Sequence, residues 1–379
     1  MKNLLLILFL GFTIVGFTQT TAIPDPNFEQ ALIDSGYDTA PINGSVSTAT
    51  INGITYLDVN DKNIADLTGI EDFIALTYLN CRSNELSSLD ITQNTALAYF
   101  DCTFNNLTNL NVTQNTALTF LAADSNQLVS LDVDQNTSLI SLYCGSNLLT
   151  NINVSQNLSL NKFNCGNNLI TSLDVTNNPS ITELYCQANQ LTSIDLTQNT
   201  NLIELIILGN QLTSIDLTQN INLTHLNISN NLLNNLDLRI NSQLVYFYCQ
   251  VNQLISLNIK NGNNSNFTLF NTLINPNLTC ITVDNVNYSN INWTNIDPAS
   301  TFVENEAECA PSCFINDSNI HAAVDLWISD PTTAEATYGN ISNWDTSCVT
   351  NMSALFKDHT TFNDDISQWD TSNVVTMRQ

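Results

Sequence analysis

The sequence predicts a mainly β solenoid, and three observations carry that prediction. A leucine or a close relative recurs every 21 residues, at Leu76, Leu97, Leu118, Leu139, Leu160, Ile181, Leu202, Leu223 and Leu244. Three residues beyond each stands a second apolar column, beginning Leu79, Phe100, Leu121. Eight residues beyond each stands an asparagine, in all nine rungs from Asn84 to Asn252. Self-similarity at such a period marks a stacked array, because a single rung cannot bury its apolar face alone. The rung reads L-x-x-L-x-C-x-x-N-x-L-x-x-L-D-V-x-x-N-x-x, which is two half-repeats in succession. Both halves should be extended, giving strands or strand-like turns on both sides of the coil and almost no helix. An irregular 22-residue rung from Ile54 precedes the array, and a degenerate one follows from about Ser265.

These columns resemble a bacterial leucine-rich-repeat array of the 21-residue kind over residues 54–279. The half-repeats set it apart from the better-known 24-residue forms. The turn asparagine offers one acceptor and two donors. It can satisfy backbone groups of its own and the neighbouring rung that would otherwise be buried unpaired.

The elements before the array read in order. Residues 1–22 form a secretory signal: Lys2 supplies the positive start, and residues 4–17 are an apolar stretch of 14. That is short of the ~20 residues that span a bilayer. Residues 23–53 form an N-terminal cap. A short helix is expected over 24–38, with Asp25 as its cap, Pro26 at the first helical position and Gly36 ending it. Phe28, Ala31 and Leu32 make one apolar face that would close the open end of the solenoid.

Six of the ten cysteines share one column: Cys81, Cys102, Cys144, Cys165, Cys186 and Cys249. Ala123, Ile207 and Ile228 fill it elsewhere, so the position is apolar core, and free cysteine packs there as a small hydrophobe. Stacked strands sit ~4.8 Å apart, too far for the ~3.8 Å that a disulfide needs between Cβ atoms. The other four, Cys280, Cys309, Cys313 and Cys348, suit disulfides in an exported chain. The expected pairing is Cys280 with Cys309, closing a C-terminal cap over 280–312 with Trp293 and Phe302 as its lid. Cys313 would then pair with Cys348.

A second domain, 313–379, changes texture. A helix is expected over 317–328, and then ISNWDTSCVTNM at 341–352 recurs as ISQWDTSNVVTM at 366–377, a spacing of 25. This motif resembles the W-D-T-S-N-V-T-x-M repeats of BspA-like bacterial surface proteins. With fewer than two full units in view, the domain reads as incomplete, and the protein is expected to continue past Gln379.

Composition narrows the function. There are 35 Asp and Glu against 8 Lys and Arg, a net charge of −27. So few cations cannot neutralise many phosphates, which argues against a nucleic-acid partner and against docking on anionic lipid. The 43% hydrophobic content argues against a charge-rich disordered chain. His225, His321 and His359 fall in three different contexts, and no nucleophile elbow, phosphate loop or metalloprotease motif is present. No enzyme activity and no cofactor are expected. A column running Asp90, Asn111, Asp132, Asn153, Asp174, Asp195, Asp216, Asp237, Asn258 could share calcium or bond nearby N–H groups. Asparagine substituting freely for aspartate favours the second reading, so no metal is expected.

The outward side of the first half-repeat carries the candidate ligand-binding residues. Tyr78, Tyr99, Phe120 and Tyr246 share one column, and Tyr143, Tyr185 and Tyr248 share the next. Aromatic groups with a polar tip suit recognition surfaces. The reading is an exported, non-catalytic recognition or adhesion protein of bacteria, secreted or held at the cell surface. It is expected to be a monomer, with no membrane insertion after signal removal. Its resemblance to surface repeat families implies an extracellular protein or glycan ligand on the concave face. The alternatives are a structural spacer or the targeting module of a longer secreted hydrolase.

Overall fold

A computed structural model describes residues 19–309 and 315–378. Most of the expected signal segment, Cys313, and the side chain of Cys309 lie outside what is described. The chain divides into two compact units between Glu304 and Asn305.

The first unit is a mainly β solenoid. In each rung the three residues around the second apolar column form a short strand, as in Tyr78–Asn80 and Tyr99–Asp101. Eleven such strands, from Tyr56–Asp58 to Leu269–Asn271, make one parallel sheet. The register follows the repeat, with Tyr78 opposite Tyr99 and Leu79 opposite Phe100. Because side chains alternate along a strand, each central residue points inward and its two neighbours point outward. Leu79, Phe100, Leu121, Leu142 and Phe163 are accordingly 0% exposed. Among the described residues no α-helix occurs between 54 and 279, only two short 3-10 turns.

The two sides of the coil are not equivalent. Strands on the second side occur only towards the C-terminal end, at Asn235–Asp237, Ser256–Asn258, Cys280–Thr282 and Thr301–Val303. In earlier rungs the second half is joined to its neighbour by single main-chain bonds, such as Asn106 N–H to Leu86 O at 2.8 Å. Asparagine amides make the other bonds. Asn147 Oδ1 accepts the Leu128 N–H (2.9 Å), and its Nδ2 donates to Ala123, Cys144 and Gly145 carbonyls. One side chain thus serves its own and the preceding rung. A second asparagine column, Asn94 to Asn241, is 0% exposed, and each Nδ2 donates twice to the rung before.

The residue before each turn asparagine is left-handed: φ is 54° at Ser83 and Phe104, and 58° at Val251. Only Gly209 in this column is glycine, so composition gave no hint of the conformation. The following asparagine holds the turn, as Asn105 does by donating to the Cys102 carbonyl.

At the N-terminal side, α1 (Pro26–Asp34) begins where expected. Asp25 Oδ1 accepts from the Asn27 and Phe28 N–H groups, and its Oδ2 accepts from Ala65 and Asp66. A single carboxylate therefore starts the helix and ties it to the first rung. Phe28 is fully buried, its ring 6.3 Å from that of Phe73. At the other end Trp293 stacks on Phe270 at 4.2 Å and meets Phe302 edge-on. Cys280 is buried on the second side of the coil; the expected disulfide partners of Cys280 and Cys348 fall outside the described side chains.

The second unit has its own core, built on Trp327, Trp344, Met352 and Trp369. Its first helix, α2 (Ile320–Ser329), starts three residues later than the expected span. Asp317 is drawn away instead, accepting from the Thr350 and Asn351 N–H groups. A further helix, α3 (Pro331–Tyr338), carries no apolar stripe and was not legible beforehand. The two 25-residue repeats stack: the Trp344 and Trp369 rings lie 6.0 Å apart at 14°, and Met352 N–H bonds Thr376 O at 2.8 Å.

Candidate binding face

The outward positions of the long sheet form two aromatic groups with a charged centre between them. The first group is a continuous stack. Tyr56 lies on Tyr78 at 4.4 Å, Tyr78 on Tyr99 at 4.3 Å, and Tyr99 on Phe120 at 4.3 Å, with planes within 14°. In-register strands present equivalent side chains at one rung's separation, so the rings stack without strain. Tyr143 leans against Phe120 at 5.6 Å and 43° from the neighbouring outward column.

In the centre Lys162, Glu183, Glu204 and His225 follow one another in register. Lys162 Nζ meets Glu183 Oε1 at 2.7 Å. The Tyr185 hydroxyl donates to Glu183 Oε2 at 3.4 Å. Beyond them His225 stacks on Tyr246 at 4.1 Å. Tyr248 shares its strand with Tyr246 and is half-buried. Burial pushes the phenols of Tyr78 and Tyr185 up, assisted at Tyr78 by the adjacent Tyr99 and Tyr56 and at Tyr185 by Glu204 and Glu183, so both remain neutral.

The predicted residues therefore do not make one cluster. Tyr78, Tyr99, Phe120 and Tyr143 are together, Tyr185 belongs to the charged centre, and Tyr246 and Tyr248 lie three or more strands further on. Sequence reasoning missed two members. Tyr56, 52% exposed, opens the stack; its signal was the match of ITYLDVN to LTYLNCR across an irregular rung. The second is His225, which the structure stacks on Tyr246.

One aspartate binds the face together. Asp124 Oδ1 accepts the Gly145 N–H at 2.8 Å and Asn164 Nδ2 at 3.2 Å, reaching across three rungs. A Cβ at Gly145 would stand 2.9 Å from that oxygen, so any larger residue there would push the Asp124 side chain aside. Burial raises the Asp124 carboxyl to about 6.

The other candidate groups are committed elsewhere. The six column cysteines are free thiols, 0% exposed, and burial pushes all of them up, which keeps them inert. In the aspartate column Asp90 accepts both the N–H and the hydroxyl of Thr92, at 2.9 and 2.7 Å. Asp174 and Asp195 repeat this with Thr176 and Thr197, and these bonds hold their carboxyls below the usual range. The oxygens serve the local turn.

This is a leucine-rich-repeat solenoid with an aromatic ladder on its sheet face and a column of cysteines behind it. The functional domain of InlJ from Listeria monocytogenes, described as including a cysteine ladder, is 34% identical. The match covers 75% of this chain and 70% of that one, with a TM-score of 0.63. The chain belongs to the internalin-type leucine-rich-repeat family that InlJ represents. The leucine-rich-repeat protein LIC12759 of Leptospira interrogans shares the fold, at 20% identity and a TM-score of 0.52, over 65% of this chain and 73% of that one. Residues 331–379 match a family described as "Mycoplasma protein of unknown function, DUF285". No curated protein matches the chain. No described helix is long and apolar enough to cross a membrane.

Proposed function

We propose that this is an exported, non-catalytic recognition protein of a bacterial surface, binding a protein ligand through the outward face of its long sheet. The observation that carries the reading is the stack from Tyr56 to Phe120. Its side chains are ordered before any ligand arrives, so binding loses little rotamer freedom. Aromatic anchors of this kind supply large contact area for few torsions.

The stack also favours protein over glycan. A sugar ring packs against the face of an aromatic ring, and at 4.3 Å Tyr78 and Tyr99 cover each other's faces. What they offer outward is edges and hydroxyls, which suit side chains and main-chain groups. The second unit is proposed as a BspA-like repeat domain on the strength of its stacked Trp344 and Trp369. Secretion or surface attachment, and a monomeric state, belong to the same proposal.

The test is binding of the mature chain to host or neighbouring-cell surfaces treated beforehand with protease or with glycosidase. Protease should remove the binding and glycosidase should leave it. A variant with Tyr78→Ala, Tyr99→Ala and Phe120→Ala should keep its circular dichroism and lose the binding. Retained binding in that variant would move the site to the second unit.

A further inference from the structure

Deepening that reading, on which it rests, we propose that Glu204, with Glu183 and Tyr185, receives a lysine or arginine side chain from a basic segment of the protein partner. The inward face of these strands is core, so the outward face alone is free to meet a partner. Three observations on it choose the partner's charge.

The first is an internal example of the contact. Lys162 sits in register beside Glu183 and bonds it at 2.7 Å, with both side chains partly exposed. Glu204 holds the same position one strand further on, directly opposite Glu183. Among the described residues it makes no ion pair. Like charges directly opposite each other on neighbouring strands repel, and a cation placed beside Glu204 relieves this as Lys162 does for Glu183.

The second is the local shape of the site. The Tyr185 phenol, half-buried in the adjacent outward column, donates to Glu183 at 3.4 Å. His225, on the far side of Glu204, is engaged by Thr224 at 2.8 Å and by the Tyr246 ring. Glu204 is thus flanked by an aromatic edge, a carboxylate and a fixed imidazole, which leaves its approach from solvent to the ligand.

The third is the balance of the whole face. Asp58, Asp101, Asp124, Glu183 and Glu204 stand against Arg82 and Lys162. Both cations are already engaged, Lys162 by Glu183 and Arg82 over the Phe104 ring at 5.1 Å. The net charge of −27 adds long-range attraction for a basic partner.

The experiment is titration calorimetry of the mature chain with octalysine, with octaglutamate and with calcium alone, at about 20 and about 150 mM salt. Octalysine should bind and octaglutamate should not. Glu204→Gln should weaken octalysine binding about tenfold. Asp195→Asn, which removes the same charge from the other side of the rung, should change it less than about twofold. Glu204→Lys should bind Glu183 internally as Lys162 does, fold with an unchanged or higher melting temperature, and abolish octalysine binding. Equal losses in Glu204→Gln and Asp195→Asn would overturn the site in favour of unspecific attraction. Calcium that competes with octalysine on the wild type and not on Glu204→Gln would replace it with a cation site. Absence of octalysine binding would overturn the cationic partner, while the Tyr78, Tyr99 and Phe120 variant judges the recognition reading separately.

Discussion

The two halves of each rung share one apolar template and have different fates. In the first half, Leu121 and Phe163 are 0% exposed and every strand joins the eleven-stranded sheet. In the second, the equivalent Leu131 and Leu173 are 7% exposed, and strands form only from Asn235 onwards. The flanking side chains account for part of the difference. In the first half the residue before the apolar one is often aromatic, as at Tyr78, Tyr99, Phe120 and Tyr246, and such rings pair across strands, although Asn235–Asp237 and Ser256–Asn258 form strands without them. The second half flanks it with Ser, Asn and Asp, which are depleted from strands and turn the chain by bonding the N–H two residues on. An apolar column thus places a residue in the core without deciding whether its backbone joins a ladder.

The comparison can be sharpened by deleting core side chains on the two sides. Leu142→Ala, under the continuous ladder, should cost about 4–5 kcal/mol, and Leu131→Ala on the second side about 2–3 kcal/mol. Urea denaturation of both variants checks the order, and equal losses would mean that the two sides are packed alike.

The turn asparagines give the next largest effect. Asn147 uses its acceptor and both donors, so Asn147→Ala should cost about 1–3 kcal/mol. Asn136 uses only its donors, towards Val112 and Asn115, and its Oδ1 has no partner among the described residues. Asn136→Ala should therefore cost less than Asn147→Ala, although it is the more deeply buried of the two. A thermal shift of zero for Asn147→Ala would remove its bridging role.

Acidity separates the sides by sign. Asp124, on the first side, has its carboxyl raised to about 6 by burial. The native state then binds its proton before the unfolded chain does, so stability rises as pH falls through about 6 towards the ordinary 3.8. On the second side, Asp90, Asp174 and Asp195 are held low by threonine bonds. Their contribution is complete above the ordinary value and is lost as pH falls below it. Asp124→Asn keeps the acceptor for Gly145 and removes the charge. It should raise the melting temperature at neutral pH and lose that advantage near pH 4. Asp195→Asn should show no such crossing between pH 7 and pH 5.

Much of this was legible beforehand because a repeat reports its own structure. Nine registers of Leu76, Leu79 and Asn84 locate the inward columns, and Ala123 and Ile207 in the cysteine column mark it as core. Asp25 and Pro26 place the first helix. What stayed hidden involves partners distant in the chain. Asp25 also ties Ala65 and Asp66; Asp317 caps the Thr350 turn instead of leading its helix; Phe104 and Val251 accept a left-handed backbone because the next asparagine holds it.

The candidate face divides in the same way. The sequence by itself determined that Tyr78, Tyr99 and Phe120 point outward together, since alternation along a strand and a period of 21 residues require nothing more. Only the tertiary structure decided that their rings close into one stack headed by Tyr56, that Glu204 stands beside Glu183 without a lysine of its own, and that Asp124 reaches Asn164 forty residues away. Hydrophobic periodicity is a local property summed over many rungs. A ring-to-ring distance, a like-charge pair and a shared carboxylate oxygen depend on how closely neighbouring rungs approach, and packing alone sets that.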